Sequence, residues 1–329
     1  MAVTLADFAK IEEDPLRKSV LNDMIMEASL LEFVPWESIN QLNTTLVKLK
    51  TLPSVGYRQI NGAFSESTGT FEQKSESVAL GGLDIDVDIA VARAGNSIAD
   101  VRSTQQMMAL MQWAYTFNQK FIYGNSGGST PEEFKGINIR IDSAVVEGYV
   151  DQKLQANDTD TGVLNSSAAS QAFLDDLDKL ITAIPGHQPD LLLMNLDMLR
   201  AVRSILRREK LLNNSADMFG RPVTTWGEGG PRLLDIGTTS DQITKIITST
   251  ETVAGVADGS GECTSIFAVK FGVEQYCWGI QEYPLEVRDL GELQTGPQLR
   301  TRIDWPHGIA TLSPKSCARL YGVVPDASA

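Results

Sequence analysis

The serine best placed by its neighbours for nucleophilic chemistry is Ser126, in Gly124-Asn125-Ser126-Gly127-Gly128. That run matches the G-x-S-x-G pattern of a nucleophile elbow and opens a serine-hydrolase reading. An elbow needs a strand before its serine and a helix directly after it. Here a helical pattern precedes the glycines, and Pro131, Glu132 and Glu133 follow. Ser126 therefore reads as a turn residue. A general base is poorly supplied as well, because His187 and His307 are the only two histidines and each stands beside Gly or Pro. Cys277 is the other conceivable nucleophile. Together with Cys263 and Cys317 it belongs to a set too small, too scattered and odd in number for a disulfide framework or a metal knuckle, so all three read as buried thiols.

Asp84, Asp86 and Asp88 look at first like the start of a calcium loop. Such a loop needs Gly at its sixth place and Glu at its twelfth, where this chain has Ile89 and Gly95. Strict alternation instead puts Leu83, Ile85, Val87 and Ile89 on one strand face and the three aspartates on the other, toward solvent or a partner. There is no phosphate-binding GxxxxGK[ST] run, and Gly227-Glu228-Gly229-Gly230 is a loop signal only. The expectation is a protein without catalytic, cofactor or metal site, hence not an enzyme.

Composition narrows the class. The 329 residues suffice for a sizeable core and about two domains, and 42% hydrophobic with 21% charged residues is ordinary for a globular chain. No apolar run approaches a membrane span, and the first residues lack a secretory pattern, so the protein is expected to be made and kept in the cytoplasm. A formal charge of −14 argues against a broad electrostatic grip on nucleic acid, although it suits a wall that encloses polyphosphate without sticking to it.

The elements that would position any site are organised around Ser97 to Tyr123. Met107, Leu110, Ala114, Phe117 and Phe121 recur at steps of three and four, with Trp113 and other apolar residues beside them. The spacing predicts a helix of roughly 40 Å, capped by Ser97 with Asp100 and stopped in left-handed conformation at Gly124-Asn125. Before it, Asn43 to Ala94 reads as a long polar finger, Thr44 to Leu52 going out and Leu83 to Val91 returning. An isolated ribbon of this kind is marginal in water, so it must lean on another molecule. Two amphipathic pieces precede the finger, one carrying Leu5, Phe8 and Ile11.

After the glycine turn, Ile137 to Gln155 reads as short strands. Ser167 to Ile184 reads as a helix, Asp190 to Asn195 as a buried strand, and Leu196 to Leu212 as a helix with a basic run that includes Arg203 and Arg207. Arg232 to Ile236 and Thr264 to Phe271 are expected strands. Leu299 to Trp305 alternates Arg300, Arg302 and Asp304 with apolar residues, and the SPKSCARLYG segment is expected to be a short helix and stop. Strand and helix signals that alternate in this way give an α+β chain.

The order of these parts resembles the major capsid proteins of tailed double-stranded DNA bacteriophages, with their Hong Kong 97-like fold. The residues that carry the resemblance are Phe121 to Gly124 with Phe134 to Ile137, Pro189 to Asn195 with the basic helix behind it, Phe219 to Val223, Val287 to Gly291, and Arg300 to Trp305. It implies an N-terminal arm (1–42), an extended β-hairpin loop (43–94), a peripheral domain with a long spine helix (95–136), an axial α/β domain (137–297), a peripheral-domain strand (298–312) and a C-terminal return to the axial domain (313–329).

It also implies a structural role. Copies would self-assemble into hexamers and pentamers of an icosahedral virion shell around double-stranded DNA, first as a procapsid and then expanded. A scaffolding protein, a portal and a decoration protein are the implied partners, with no membrane and no sequence-specific DNA contact. An encapsulin-like bacterial nanocompartment is the alternative of the same fold. Expected subunit contacts are Arg58, Phe64, Glu66, Phe71, Glu72, Asp84, Asp86, Asp88, Arg203, Arg207, Arg300 and Arg302; the expected spine is Met107, Leu110, Trp113, Phe117 and Phe121.

Overall fold

A computed structural model describes residues 3–4, 29–94, 101–126, 132–156, 162–210, 212–216, 222–227, 229–252 and 263–325. The amphipathic pieces before residue 29, the Ser97–Asp100 cap and Phe219 to Arg221 lie outside the described residues. Among the described residues, two sheets and a two-stranded ribbon make up the β structure.

The first sheet is built on one long strand, Gln298–Thr311. Ala79–Asp88 runs antiparallel along one of its edges, while Glu286–Glu292 and then Cys277–Gln281 pair along the other. Pro35–Ser38 extends the sheet in parallel and Val3–Thr4 closes it. The second sheet has seven strands in the order Lys153–Gln155, Cys317–Val323, Thr264–Val269, Leu191–Met194, Arg232–Asp235, Pro222–Trp226 and Leu212–Ala216.

The spine helix spans Val101–Tyr123. Its Leu110, Ala114, Phe117, Phe121 and Ile122 are buried, and Phe117 stacks on Trp305 of the long strand at 5.9 Å between ring centroids. At roughly 1.5–3 kcal/mol for each large apolar side chain fully buried, this face is a principal source of the fold's stability. Two expectations are corrected here. Met107 is 51% exposed, although Arg102 and Gln106 just before it reach Thr301 of the long strand, and Trp113 is half-buried at the edge of the core rather than inside it.

The helix stop differs from the expected one as well. Gly124 keeps an ordinary negative φ and is needed for close approach: a Cβ there would stand 2.4 Å from the Phe134 carbonyl oxygen, and Gly136 N–H donates to Gly124 O at 2.8 Å. The chain thus folds back tightly into Ile137–Val146.

That segment is a helix, not the expected strands. Ile137, Arg140, Ile141 and Ala144 fall on one buried face at helical spacing, whereas the Ile-Asn-Ile-Arg-Ile alternation had suggested period two. Cys317–Val323 is likewise a strand rather than a short helix, and pairs with Thr264–Val269 in the heart of the second sheet. The helices Ser167–Thr182 and Leu196–Arg208 start at Ser166 and Asn195, whose side chains accept from the N–H groups of Ala169 and Met198.

Alternation in the second sheet feeds two cores. Leu191, Leu193, Phe267 and Val269 join the core under the spine helix, while Leu192, Met194, Ile266 and Ala268 face the helices Ser167–Thr182 and Leu196–Arg208.

Candidate subunit-contact surface

The finger is a two-stranded ribbon of Asn43–Thr51 and Thr70–Ser77, in register from Asn43 opposite Ser77 to Thr51 opposite Thr70. Its return strand is therefore Thr70–Ser77, not Leu83 to Val91. Residues 79–88 leave the ribbon and pair with the long strand, because their alternating apolar face has a core to cover there. The small core of Val78, Trp278, Ile280 and Ala310 takes Leu46 from the ribbon's own strands. Between them, residues 52–69 are exposed throughout, including Leu52, Val55, Tyr57, Ile60 and Phe64.

Local contacts give this tip a shape. Asn61 takes φ 66°, Gly62 N–H donates to Gln59 O at 3.0 Å, and the Arg58 guanidinium lies 5.1 Å from the Phe64 ring centroid while donating to Gly62 O at 3.3 Å. Arg58 and Phe64 thus sit together on the tip, where Glu66 is also exposed. Phe71 and Glu72 lie on the return strand, Phe71 70% exposed and Glu72 3.5 Å from Lys50.

The root of the finger is fixed differently. Arg140, on the helix Ile137–Val146, meets Glu76 through two bonds of 2.6 and 2.9 Å, both side chains being buried. Its remaining N–H groups donate to Thr311 Oγ1, Ile309 O and Lys135 O, so all five guanidinium donors are used. Burial pushes the Glu76 carboxyl up, but the charge and hydrogen bonds of Arg140 outweigh it and hold the group below the ordinary glutamate range. Lys74 adds a contact to Glu76 at 3.2 Å and donates to Thr311. Sequence reasoning missed this pair. The available signal was an arginine set among isoleucines on what proves to be a buried helical face.

Asp84, Asp86, Arg300 and Arg302 were expected to reach for a neighbour. Register places them directly opposite one another in adjacent strands, and each arginine grips its aspartate with two bonds of 2.6 to 2.8 Å. Hydrogen bonds from Arg302 and Arg300 hold the carboxyls of Asp84 and Asp86 below their ordinary value. These four charges are matched with one another within the chain. Asp88 accepts from Ala90 N–H at 2.7 Å, Arg203 donates to Thr224 at 3.0 Å, and Arg207 is exposed on its helix.

The residues first weighed for chemistry do not converge. Ser126 lies in a turn, with no hydrogen bond to His307. His307 is buried among Trp36, Trp113, Phe117, Phe134 and Trp305, where burial pushes it down to about 4 and its Nδ1 lies 2.8 Å from the Trp305 carbonyl. A hydrogen bond with Cys317 and burial keep the Cys277 thiol protonated. Among the described residues no group of three or more His, Cys, Asp or Glu is placed to hold a metal, and no helix is long and apolar enough to cross a membrane.

What the fold displays is a two-sheet body carrying a two-stranded ribbon whose tip is exposed throughout. The family model of Major capsid protein GP7 matches residues 17–170. No curated protein matches the sequence. Among solved structures, the holo-SrpI encapsulin complex of Synechococcus elongatus PCC 7942 superposes with a TM-score of 0.60 at 14% identity, over 91% of this chain and 88% of that one. The capsid of the native GTA particle gives 0.58 at 13% identity, over 90% of each chain. Microbacterium phage Oxtober96 gives 0.56 at 11% identity over 91% of each. The fold is that of the Hong Kong 97-like shells, and the family match over residues 17–170, just under half of the chain, supports a capsid shell subunit.

Proposed function

We propose that copies of this chain form hexamers and pentamers of an icosahedral shell that encloses a double-stranded DNA phage genome, closing first as a procapsid and then expanding. The observation that carries the reading is the finger. Leu52, Val55, Tyr57, Ile60 and Phe64 are all exposed on a tip with no core of its own, and five large apolar side chains held out at the end of a two-stranded ribbon are an association surface rather than a stable free end. A neighbouring subunit is the partner that repetition in a shell always supplies, so modest contacts add up around each ring.

In this reading the ribbon with its tip is the extended loop, the spine helix and long strand form the peripheral domain, and the seven-stranded sheet forms the axial domain. Arg58, Phe64, Glu66, Phe71 and Glu72 remain candidates for contact with a neighbour, as does Arg207. Asp88 and Arg203 are held by local hydrogen bonds and contribute only their free faces. A separate scaffolding protein, a portal and a decoration protein complete the assembly, which takes place in the host cytoplasm without DNA sequence being read.

The second reading, a nanocompartment that encloses protein cargo, draws on the likeness to an encapsulin. Expression with and without the scaffolding protein, followed by negative-stain microscopy, separates the two. A phage shell needs the scaffold to close uniformly, whereas a nanocompartment closes alone.

A further inference from the structure

The chain is strongly acidic, yet cations converge at the root of the finger. Lys48, Lys74, Lys135 and Arg140 line a recess of about 70 Å³ between the ribbon, the helix Ile137–Val146 and the turn after Thr311. Lys48 and Lys315 stand over the same ring, that of Tyr149, at 5.9 and 5.6 Å. Only two carboxylates answer these five cations. Glu76 is engaged by Arg140 and Lys74, and Glu147 by Lys48 at 2.5 Å. Among the described residues Lys135 and Lys315 have no carboxylate partner, and both are exposed.

Lys74 shows the crowding of like charge directly: burial lowers its pKa first, and the charge of Arg140 lowers it further, against the pull of Glu76. An excess of positive charge held in a partly enclosed space is relieved by an anion. Lysine ammonium groups act as point charges suited to a phosphate group, and the Ser313 hydroxyl stands in the same lining, where Ser143 and Ser316 already donate to the Ile139 and Ser313 carbonyls. The volume corresponds to about two waters, which is room for one tetrahedral oxyanion and excludes a base or a ring.

We propose that this recess binds a phosphate group, either free inorganic phosphate or one phosphate of a polynucleotide backbone. Arg140 and Lys74, whose donors are already used, supply field rather than contact; Lys135 in the lining and Lys315 on the adjoining turn are the ammonium groups left to meet the anion. Bound there, the phosphate bridges the ribbon, the helix and the Thr311 turn, and so stiffens the finger against the body.

The test compares the wild-type chain with Lys135→Gln/Lys315→Gln, both exposed positions, with Lys50→Gln on the ribbon as control. Unfolding midpoints are read in sodium phosphate and in sodium chloride of equal ionic strength. For a Kd of about 1 mM, a phosphate concentration of about 20 mM should raise the wild-type midpoint by about 3 °C. The Lys50→Gln chain should match it, and the double variant should lose at least half of the rise while keeping the wild-type midpoint in chloride.

A twelve-residue thymidine oligonucleotide then identifies the source. Competition with phosphate at tenfold or better affinity assigns the site to a polynucleotide, and lack of competition assigns it to free phosphate. An equal rise in wild type and double variant, or no rise in wild type beyond that in chloride, overturns the proposal.

Discussion

Replacing Glu76 with alanine tests how the finger is attached. The change removes two charge-assisted bonds of 2.6 and 2.9 Å and leaves the Arg140 guanidinium, whose side chain is 6% exposed, without a counter-charge. Arg140 would keep its bonds to Thr311, Ile309 and Lys135, so the loss is one of charge compensation rather than of every donor. Breaking a buried ion pair from one side costs about 3–5 kcal/mol, and for a chain of this size that lowers the midpoint by roughly 4–7 °C. The double variant Glu76→Leu/Arg140→Met removes both charges and should recover most of the loss, because the desolvation penalty disappears with the pair.

The pH dependence follows from the lowered Glu76 carboxyl. Its folded value lies below its unfolded one, so the contribution is present at neutral pH and is lost as pH falls through the folded value. The gap between wild type and Glu76→Ala should therefore persist to about pH 4 and close only below it. Thermal and urea unfolding of the unassembled subunit measure all of this. A single variant within about 1 kcal/mol of wild type, or a double variant less stable than the single one, would refute the reasoning.

Other expectations are simpler. His307 is pushed down to about 4 by burial; it folds neutral, so stability should fall as pH drops from about 6.5 toward 4, by up to about 3 kcal/mol, and His307→Phe should flatten that part of the stability–pH curve. Gly279→Ala should cost about 1–3 kcal/mol in urea unfolding, because its Cβ would meet the Trp36 ring at 2.5 to 2.7 Å. Trp113→Asp should leave a folded chain with a reduced midpoint, since the ring is only half-buried and the new carboxylate has a route to water; insoluble protein would contradict this.

Much of the body was legible because its elements obey a clear period. Leu110, Ala114, Phe117 and Phe121 announce a helical face, Leu191 to Met194 a buried strand, and Leu299 to Trp305 a half-buried one. The failures have physical causes. In Ile137–Val146 the β-branched residues mimic a strand, and only the spacing of Ile137, Ile141 and Ala144 across two turns gives the helix away. In the SPKSCARLYG segment the serines and proline suggest a helix start, while tertiary pairing with Thr264–Val269 makes it a strand.

The finger's return strand was placed too late because Thr70–Ser77 has a single large apolar residue, Phe71. What holds that strand is cross-strand pairing and the Glu76–Arg140 bond, neither of which leaves a hydrophobic pattern. The same blindness affected the contact residues. Asp84 and Asp86 looked available because sequence does not give register, and register is what brings Arg302 and Arg300 opposite them.

The most direct measurement replaces the tip, residues 52–69, with Asn-Gly, joining Thr51 to its paired partner Thr70 through a two-residue hairpin turn. Every side chain removed is exposed, so the unfolding midpoint of the unassembled chain should match wild type. Expressed beside the scaffolding protein and viewed by negative stain, wild type should give closed shells of uniform size and the variant only small particles. Closed shells from the variant, or none from wild type, would contradict the account.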